Sequence, residues 1–412
     1  MNFFYQLGIF FYLLAARILA PFNIKARQFA RGQKASFPYL ESKINHSRPI
    51  IWVHCASLGE FEQGRPLIEH IKKTQPDYQV LLSFFSPSGY EIRKNYDQAD
   101  YICYLPIDTL KNAKRFIELV RPEKVFFIKY EFWFNYMNLL NTKQIPLYLV
   151  SAIFRKEQLF FKSGIKAKWY RNILSKVTHF FVQTPESARL LAEIGLKNST
   201  VTGDTRFDRV AEIAANYKEL PLVETFKDGQ QLIVAGSSWA PDEEKLISFL
   251  KQNPKTKLIF APHEVKASNI KRLKEQLPTP AICYSEAQDK DLASAQVLIV
   301  DTIGILSSIY RYADIAYIGG GFGVGIHNTL EAAIYNIPVI FGPNYQRFQE
   351  AVNLKERGVA FSIATSEELN TILTQLLTDS SRRESISKKC REFMAENLGA
   401  TQQVTQKVFN KK

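Results

Sequence analysis

The stretch Ile50–Arg65, IIWVHCASLGEFEQGR, decides the fold. A short apolar run, Ile50–His54, ends in the small-residue turn Cys55-Ala56-Ser57 and passes through Glu60 into a helical run, which is one βα unit. The same alternation recurs along the chain. In the first half strands are expected at 50–54, 80–85, 101–105, 125–128, 147–150 and 179–183, and in the second at 231–236, 257–261, 281–285, 297–301, 315–320 and 338–342. Short β-branched or aromatic runs separated by longer helix-period stretches predict parallel sheets. The polar stretch Tyr217–Gly229, with Pro221 and Asp228-Gly229, separates the two sets and reads as a linker. The expectation is an α/β protein with two Rossmann-like, doubly wound domains, 23–216 and 230–412, joined by 217–229 and preceded by a helix at 1–22. A ligand cleft is expected between the carboxyl ends of the two sets of strands. No short-period repeat is present.

Composition fits this plan. The chain has 412 residues, 46% hydrophobic and 23% charged, an ordinary globular balance that excludes disordered, collagen-like and disulfide-scaffold classes. The net charge of +13 invites a nucleic-acid reading until it is divided by position. Residues 1–48 carry +6, 49–150 carry +1, 151–180 carry +6 and 181–412 are neutral. Two local basic patches, both rich in apolar residues, argue against nucleic acid as the partner. Cys55, Cys103, Cys283 and Cys390 show neither a CxxC nor a zinc-ligand spacing, so a reduced, metal-free interior and a cytoplasmic setting are expected.

The first patch follows the apolar run Phe3–Phe22, FFYQLGIFFYLLAARILAPF, whose one charge is Arg17; Lys25, Arg27, Arg31 and Lys34 come after it. A secretory signal carries its charge before the apolar core, so cleavage is not expected. At ~20 residues the run is just long enough to span a bilayer. Spanning with the positive side inside, or lying in the interface, both place the body of the protein on the inner, cytoplasmic face of a membrane. A buried helix of a soluble domain is the third reading. The second patch, Phe154–Lys176, interleaves Phe160, Phe161, Trp169 and Tyr170 with Lys162, Lys166, Lys168 and Arg171. It reads either as a contact for anionic lipid or as an amphipathic helix with its basic face in water.

Several turns carry chemistry. Glu60, at a helix start behind a strand, could act as a general base on a substrate hydroxyl; a carboxylate there is also what a helix macrodipole favours. Gly319-Gly320-Gly321-Phe322-Gly323-Val324-Gly325 precedes His327-Asn328 and the helical stretch from Thr329. Five glycines in seven positions expose backbone N–H groups to an anion such as a nucleotide phosphate, and Glu331 could accept from ribose hydroxyls. The spacing is not the GxGxxG of nicotinamide-binding folds. Val234–Ser238, ending in Ser237-Ser238, is placed for a phosphate or a sugar carboxylate. Pro262-His263-Glu264 ends the next strand, and Gly203–Asp208 leaves Arg206 to pair an anion.

In this order the motifs resemble the 3-deoxy-D-manno-oct-2-ulosonic acid (Kdo) transferases, of GT-B fold, which move Kdo from CMP-Kdo to the lipid A precursor. The family's His-Ala-x-Ser-x-Gly-Glu is similar to His54–Glu60, with Cys55 for Ala, and implies a catalytic base at Glu60. Its Thr-Glu-Leu-Trp-Pro-Asn resembles Tyr130–Asn135 without the Pro, and its Gly-Asn-x-Lys-Phe-Asp resembles Gly203–Asp208 with Arg206 for Lys. Glu131 and Arg206 are thereby implied to support the transition state. The Gly-rich run with His-Asn-Pro-Leu-Glu is similar to Gly319–Gly325 with His327-Asn328-Thr329-Leu330-Glu331. Pro-Arg-His resembles Pro262-His263 without the Arg, and Asp-Thr-Met-Gly-Glu-Leu resembles Asp301–Leu306 with the Glu lost. The implied donor pocket draws on Ser237, Pro262, His263, Ile303, Gly304, Ile305, Gly320, Gly321, Asn328, Thr329, Leu330 and Glu331. The implied activity is inverting transfer of Kdo to lipid IVA in lipopolysaccharide biosynthesis, with CMP-Kdo as donor, no cofactor and no metal. Partners would be the lipid A precursor and anionic inner-membrane lipid. The alternative is a GT-B nucleotide-sugar epimerase or a glycosyltransferase with another acceptor.

Overall fold

The computed structural model describes residues 2–129 and 131–410. They form two compact units, 1–209 with 398–412, and 210–397. The first holds seven strands: β1 (Ile50–Cys55), β2 (Gln79–Phe84), β3 (Tyr101–Tyr104), β4 (Pro122–Ile128), β5 (Leu147–Ala152), β6 (His179–Val182) and β7 (Ser199–Val201). They pair in parallel in the order β3-β2-β1-β4-β5-β6-β7. Successive side chains point to opposite faces, so each strand feeds two cores. Trp52, Leu81, Val125, Phe127 and Leu149 pack on one side with Phe116 and Tyr136, while Ile51, Val53, Leu82, Phe126 and Val150 pack on the other with Phe61, Leu67 and Ile71. Covered on both faces, the strands read as continuous apolar runs.

The second unit repeats the plan with β8 (Leu232–Ser238), β9 (Lys257–Pro262), β10 (Ile282–Cys283), β11 (Val297–Ile299), β12 (Ile315–Ile318), β13 (Val339–Phe341) and β14 (Ala360–Ser362), in the order β10-β11-β9-β8-β12-β13-β14. The order reverses beside β1 and β4 in the first sheet and beside β8 and β12 in the second. Crevices open outside the carboxyl ends of strands at such reversals, and there the chain carries His54–Glu60, Glu131–Asn135, Ser237 and Gly319–Gly325.

Two boundaries differ from the sequence reading. Helix Ala400–Phe409 belongs to the first unit, not to a domain running from 230 to 412. Its Val404 and Val408, one turn apart, join the core with Ile51 and Val53, and the Asp208 carboxylate accepts from the amides of Gly399 and Thr401, both at 2.7 Å. The expected linker 217–229 contains helix Pro221–Lys227, with Val223 and Phe226 buried in the second unit.

The amino-terminal run is a helix, Asn2–Leu19, followed after a turn by helix Ile24–Lys43. With mean hydropathy 1.4 over 18 residues it is long and apolar enough to cross a membrane. One side is docked on the first unit. Tyr5 Oη donates to Asp108 Oδ2 at 2.5 Å, Gln6 Nε2 to Asn135 Oδ1 at 3.0 Å, and Trp169 Nε1 to Asn2 Oδ1 at 2.8 Å. Ile9, Leu13 and Ala16 pack against Phe29, Tyr104 and Ile107. The other side presents Phe3, Phe4, Phe10, Phe11 and Ile18 to solvent.

Candidate functional site

After β1 the chain turns through Ser57, whose hydroxyl accepts from Gly59 N at 3.2 Å and caps helix Leu58–Thr74. The same hydroxyl donates to Glu60 Oε2. Glu60 Oε1 lies 3.3 Å from Lys129 Nζ. From β4, Glu131 brings a second carboxylate, with Oε2 4.0 Å from His54 Nε2. His54 is fully buried: its Nδ1 pairs with Ser83 Oγ at 2.9 Å, and its Nε2 accepts from Trp133 Nε1 at 3.0 Å. Burial pushes the imidazole down to about 3. With Nε2 accepting, the neutral ring carries its proton on Nδ1. Tyr130 lies outside the described residues.

The two carboxylates are driven apart. Burial works against charge on Glu60, yet the Ser57 hydroxyl and the Lys129 ammonium outweigh it and hold Glu60 below the usual carboxylate range. Burial and then the charge of Glu60 push Glu131 up to about 7, against the Trp133 N–H and Lys129. Near neutrality one carboxylate is an ionised acceptor and the other straddles its titration, a separation typical of catalytic pairs. A carboxyl whose folded pKa is raised loses stability as pH climbs from its unfolded value of about 4.5 to its folded one. Glu131→Gln should therefore melt with wild type at pH 4.5 and above it at pH 8; equal melting temperatures at both pH values would refute the raised value.

The turn Gly203–Asp208 closes the same end of the sheet. Buried Asp204 accepts from Gln63 Nε2 at 3.1 and 3.2 Å, and Thr205 Oγ1 donates to Gln63 O at 2.5 Å, tying the turn to the helix that carries Glu60. Arg206 is not left to pair an incoming anion alone, as its sequence position suggested. Its Nε and one terminal nitrogen donate to Asp204 Oδ2 at 2.9 and 2.7 Å, because a buried carboxylate needs a partner. Burial opposes the charge of Asp204, but Arg206 holds it below the usual range.

In the second unit the glycine run is mostly close packing. A Cβ on Gly319 would lie 2.2 Å from Ser237 O, and one on Gly321 2.6 Å from Gly342 Cα. Four of the five amides expected to face an anion are used within the protein: Gly319 N bonds Gly236 O, Gly320 N bonds Asp242 Oδ2, and Gly323 N and Gly325 N bond Gly320 O. The helix behind them is a single turn, Leu330–Ala333. Asn328 Oδ1 accepts from Leu330 N and its Nδ2 donates to Glu331 Oε1 at 3.0 Å. Thr329 and Leu330 are buried. Ser237 (φ 52) is left-handed at the end of β8, and Gly304 (φ 92) sits between exposed Ile303 and half-buried Ile305.

Asp242 and Trp239, not singled out from sequence, help organise this edge. Asp242 accepts from Trp239 N, Gly320 N and Tyr317 Oη at 2.9, 2.9 and 2.8 Å, pinning the glycine loop to the end of β8. Pro241 with Asp242-Glu243 in a first turn is the signal that marks it. Trp239, His263 and His327 form a three-ring stack with centroids 4.7 and 4.4 Å apart, and Trp239 Nε1 donates to His327 Nε2 at 3.1 Å. Burial and then His263 push His327 down to about 4. Pro262 and His263 follow β9 beside this stack. Among the described residues no group of three or more His, Cys, Asp or Glu is placed to hold a metal ion.

The basic segment divides into structural and exposed parts. The Arg171 guanidinium donates to Phe160 O and Lys162 O at 2.7 and 2.6 Å, and Phe160 is buried. Trp169 stacks on Phe134 at 5.2 Å. These three hold helix Ile165–Leu174 in place; Phe160 is buried, while Trp169 and Arg171 stay half-buried and Arg171 lines a surface depression. Lys162, Lys166, Lys168 and Ile165 remain exposed, and Phe161 is half-buried.

Residues 26–209 match the family described as 3-deoxy-D-manno-octulosonic-acid transferase (kdotransferase). The chain is 30% identical over 353 residues to the 3-deoxy-D-manno-octulosonic acid transferase of Aquifex aeolicus, covering 84% of this chain and 90% of that one. Among solved structures, the UDP-GlcNAc 2-epimerase of Neisseria meningitidis superposes with TM-score 0.62 at 15% identity, over 88% of this chain and all of that one. MurG of Acinetobacter baumannii does so with TM-score 0.55 at 15% identity and the same coverage. These likenesses identify the fold as GT-B. Two doubly wound sheets with a carboxylate pair at the first sheet's reversal, the family match over 26–209 and 30% identity to the Aquifex protein over most of both lengths mean that this chain belongs to the 3-deoxy-D-manno-octulosonic acid transferases, a glycosyltransferase family.

Proposed function

We propose that the protein transfers Kdo from CMP-Kdo to a lipid A precursor with inversion, Glu60 acting as general base. The observation that carries this reading is the pairing of Glu60, held ionised by Ser57 and Lys129, with Glu131, at the β1/β4 reversal. Glu60 takes the proton of the acceptor's primary hydroxyl as its oxygen bonds the anomeric carbon of Kdo. The bond from that carbon to the CMP phosphate breaks, and CMP leaves with the electron pair. Glu131 and Arg206 support the transition state, and the donor is bound by the second unit around Ser237, Pro262, His263, the 303–305 turn, the glycine loop and Asn328–Glu331. A monophosphate leaving group needs no metal ion in this scheme. CMP release on adding CMP-Kdo and a lipid A precursor tests the reading, and no release with that acceptor would remove it. Release dependent on a different acceptor, or none, would favour another transferase or an epimerase.

An anionic lipid acceptor also suits the surface. We place the outer side of helix Asn2–Leu19 and the lysines around Ile165 against the cytoplasmic face of the inner membrane. Lys162 and Lys168 line one depression with Phe161 and Ile165. At about 1 kcal/mol per charge near an anionic surface, changing both to Gln should weaken binding to phosphatidylglycerol vesicles by roughly thirtyfold at low salt. Unchanged sedimentation with such vesicles would refute that contact.

A further inference from the structure

Lys129 follows β4 directly and has a left-handed backbone, φ 66, which lysine adopts rarely and retains where its surroundings impose it. Its amide still donates to Val150 O at 2.8 Å, so the ladder between β4 and β5 continues through the strained residue. Its side chain reaches the first turn of the helix after β1, where Glu60 sits. We propose that Lys129 is a positioning residue for glycosyl transfer: its ammonium group, 3.3 Å from Glu60 Oε1, keeps Glu60 an ionised proton acceptor beside the second carboxylate, Glu131.

Two carboxylates within electrostatic reach compete for one proton, and without a third group either could hold it. The surroundings break that symmetry. Glu60 receives the Ser57 hydroxyl and pairs with Lys129. Glu131 instead receives the Trp133 indole N–H, which is shared with neutral His54. Among the described residues, two other titratable groups beside the pair are uncharged near neutrality. They are the buried Cys55 thiol and the His54 imidazole, both from β1. Lys129 thus places a cation on Glu60, favouring it as the acceptor. Glu60 below the ordinary range and Glu131 pushed up to about 7 agree with that order.

The proposal rests on Glu60 as the base, and the experiment separates the two. The full chain is assayed for CMP release from CMP-Kdo and a lipid A precursor across pH as wild type, Lys129→Met, Lys129→Arg and Glu60→Gln. Removing the cation raises the Glu60 pKa, so Lys129→Met should move the acidic limb of kcat/KM up by about one pH unit. Its deficit should be largest at low pH and shrink as pH rises, while Lys129→Arg keeps the wild-type limb. In the unliganded protein the ¹³C signal of the Glu60 carboxyl should titrate higher by the same amount in Lys129→Met, a readout independent of turnover. An unmoved limb and an unmoved carboxyl titration overturn the proposal, even if activity falls uniformly or the acceptor KM alone rises. Glu60→Gln with turnover near wild type would instead overturn the base, while the carboxyl titration still decides the role of Lys129.

Discussion

Glu60→Gln is expected to lower kcat for CMP release by about 10² to 10⁴, the usual worth of a positioned general base. The substitution keeps the length and shape of the side chain and leaves an oxygen for the Ser57 hydroxyl, so the cap of helix Leu58–Thr74 survives. Melting temperature should stay within a few degrees of wild type. Acceptor KM should change far less than kcat, because the proton is taken only as the bond forms. Turnover within a few-fold of wild type would sink the assignment, as would a loss of rate that merely follows a loss of folded protein.

Gly319→Ala should be the most damaging small substitution in the second unit. The new Cβ would meet Ser237 O at 2.2 Å and Ser238 Cα at 2.6 Å. Both are backbone atoms, so no rotamer change relieves the clash, and the ends of β8 and β12 must separate. That separation strains the bond from Gly319 N to Gly236 O and the link from Gly320 N to Asp242. Overpacking of this kind costs about 3 kcal/mol, which lowers the melting temperature of a unit this size by roughly 6 to 12 °C. Gly323→Ala is the control. Its Cβ would meet nothing nearer than Gly320 O at 3.7 Å, and it should melt within a degree or two of wild type. Equal melting of both variants, read by calorimetry, would refute the close-approach explanation of the glycine run.

The doubly wound architecture was legible because parallel strands buried on both faces announce themselves as apolar runs between helical stretches. The strands left out, Ser199–Val201 and Ala360–Ser362, are three-residue edges too short to stand out from polar flanks. Glu60 was legible for a local reason: Ser57, a small-residue turn and an acid in the first helical turn lie within a few positions. Its electrostatics were not, since Glu60, Lys129 and Glu131 come together only when β1 and β4 pair. Arg206 and Asp204 are two residues apart, yet their pairing depends on Gln63 and on the burial of the turn. The glycine run suggests an anion cradle because its spacing records small residues and not what crowds them. Trp239, His263 and His327 come from the segments that follow β8, β9 and β12, far apart in sequence, so their stacking leaves no local trace.

The two-sided amino-terminal helix has a practical consequence for anyone purifying this enzyme. Truncating residues 2–19 to dispense with detergent would remove the Tyr5 hydroxyl from Asp108, a buried carboxylate that also accepts from the amides of Asn135 and Tyr136. It would also strip Tyr12 from Phe85, which packs in turn, at 4.6 Å, on the Trp133 ring that holds His54. A shortened protein obtained that way would be soluble at the expense of the wall behind its carboxylates. Recoding the outward residues Phe3, Phe4, Phe10, Phe11 and Ile18 as polar ones, with Tyr5, Gln6, Ile9 and Leu13 untouched, keeps that wall standing.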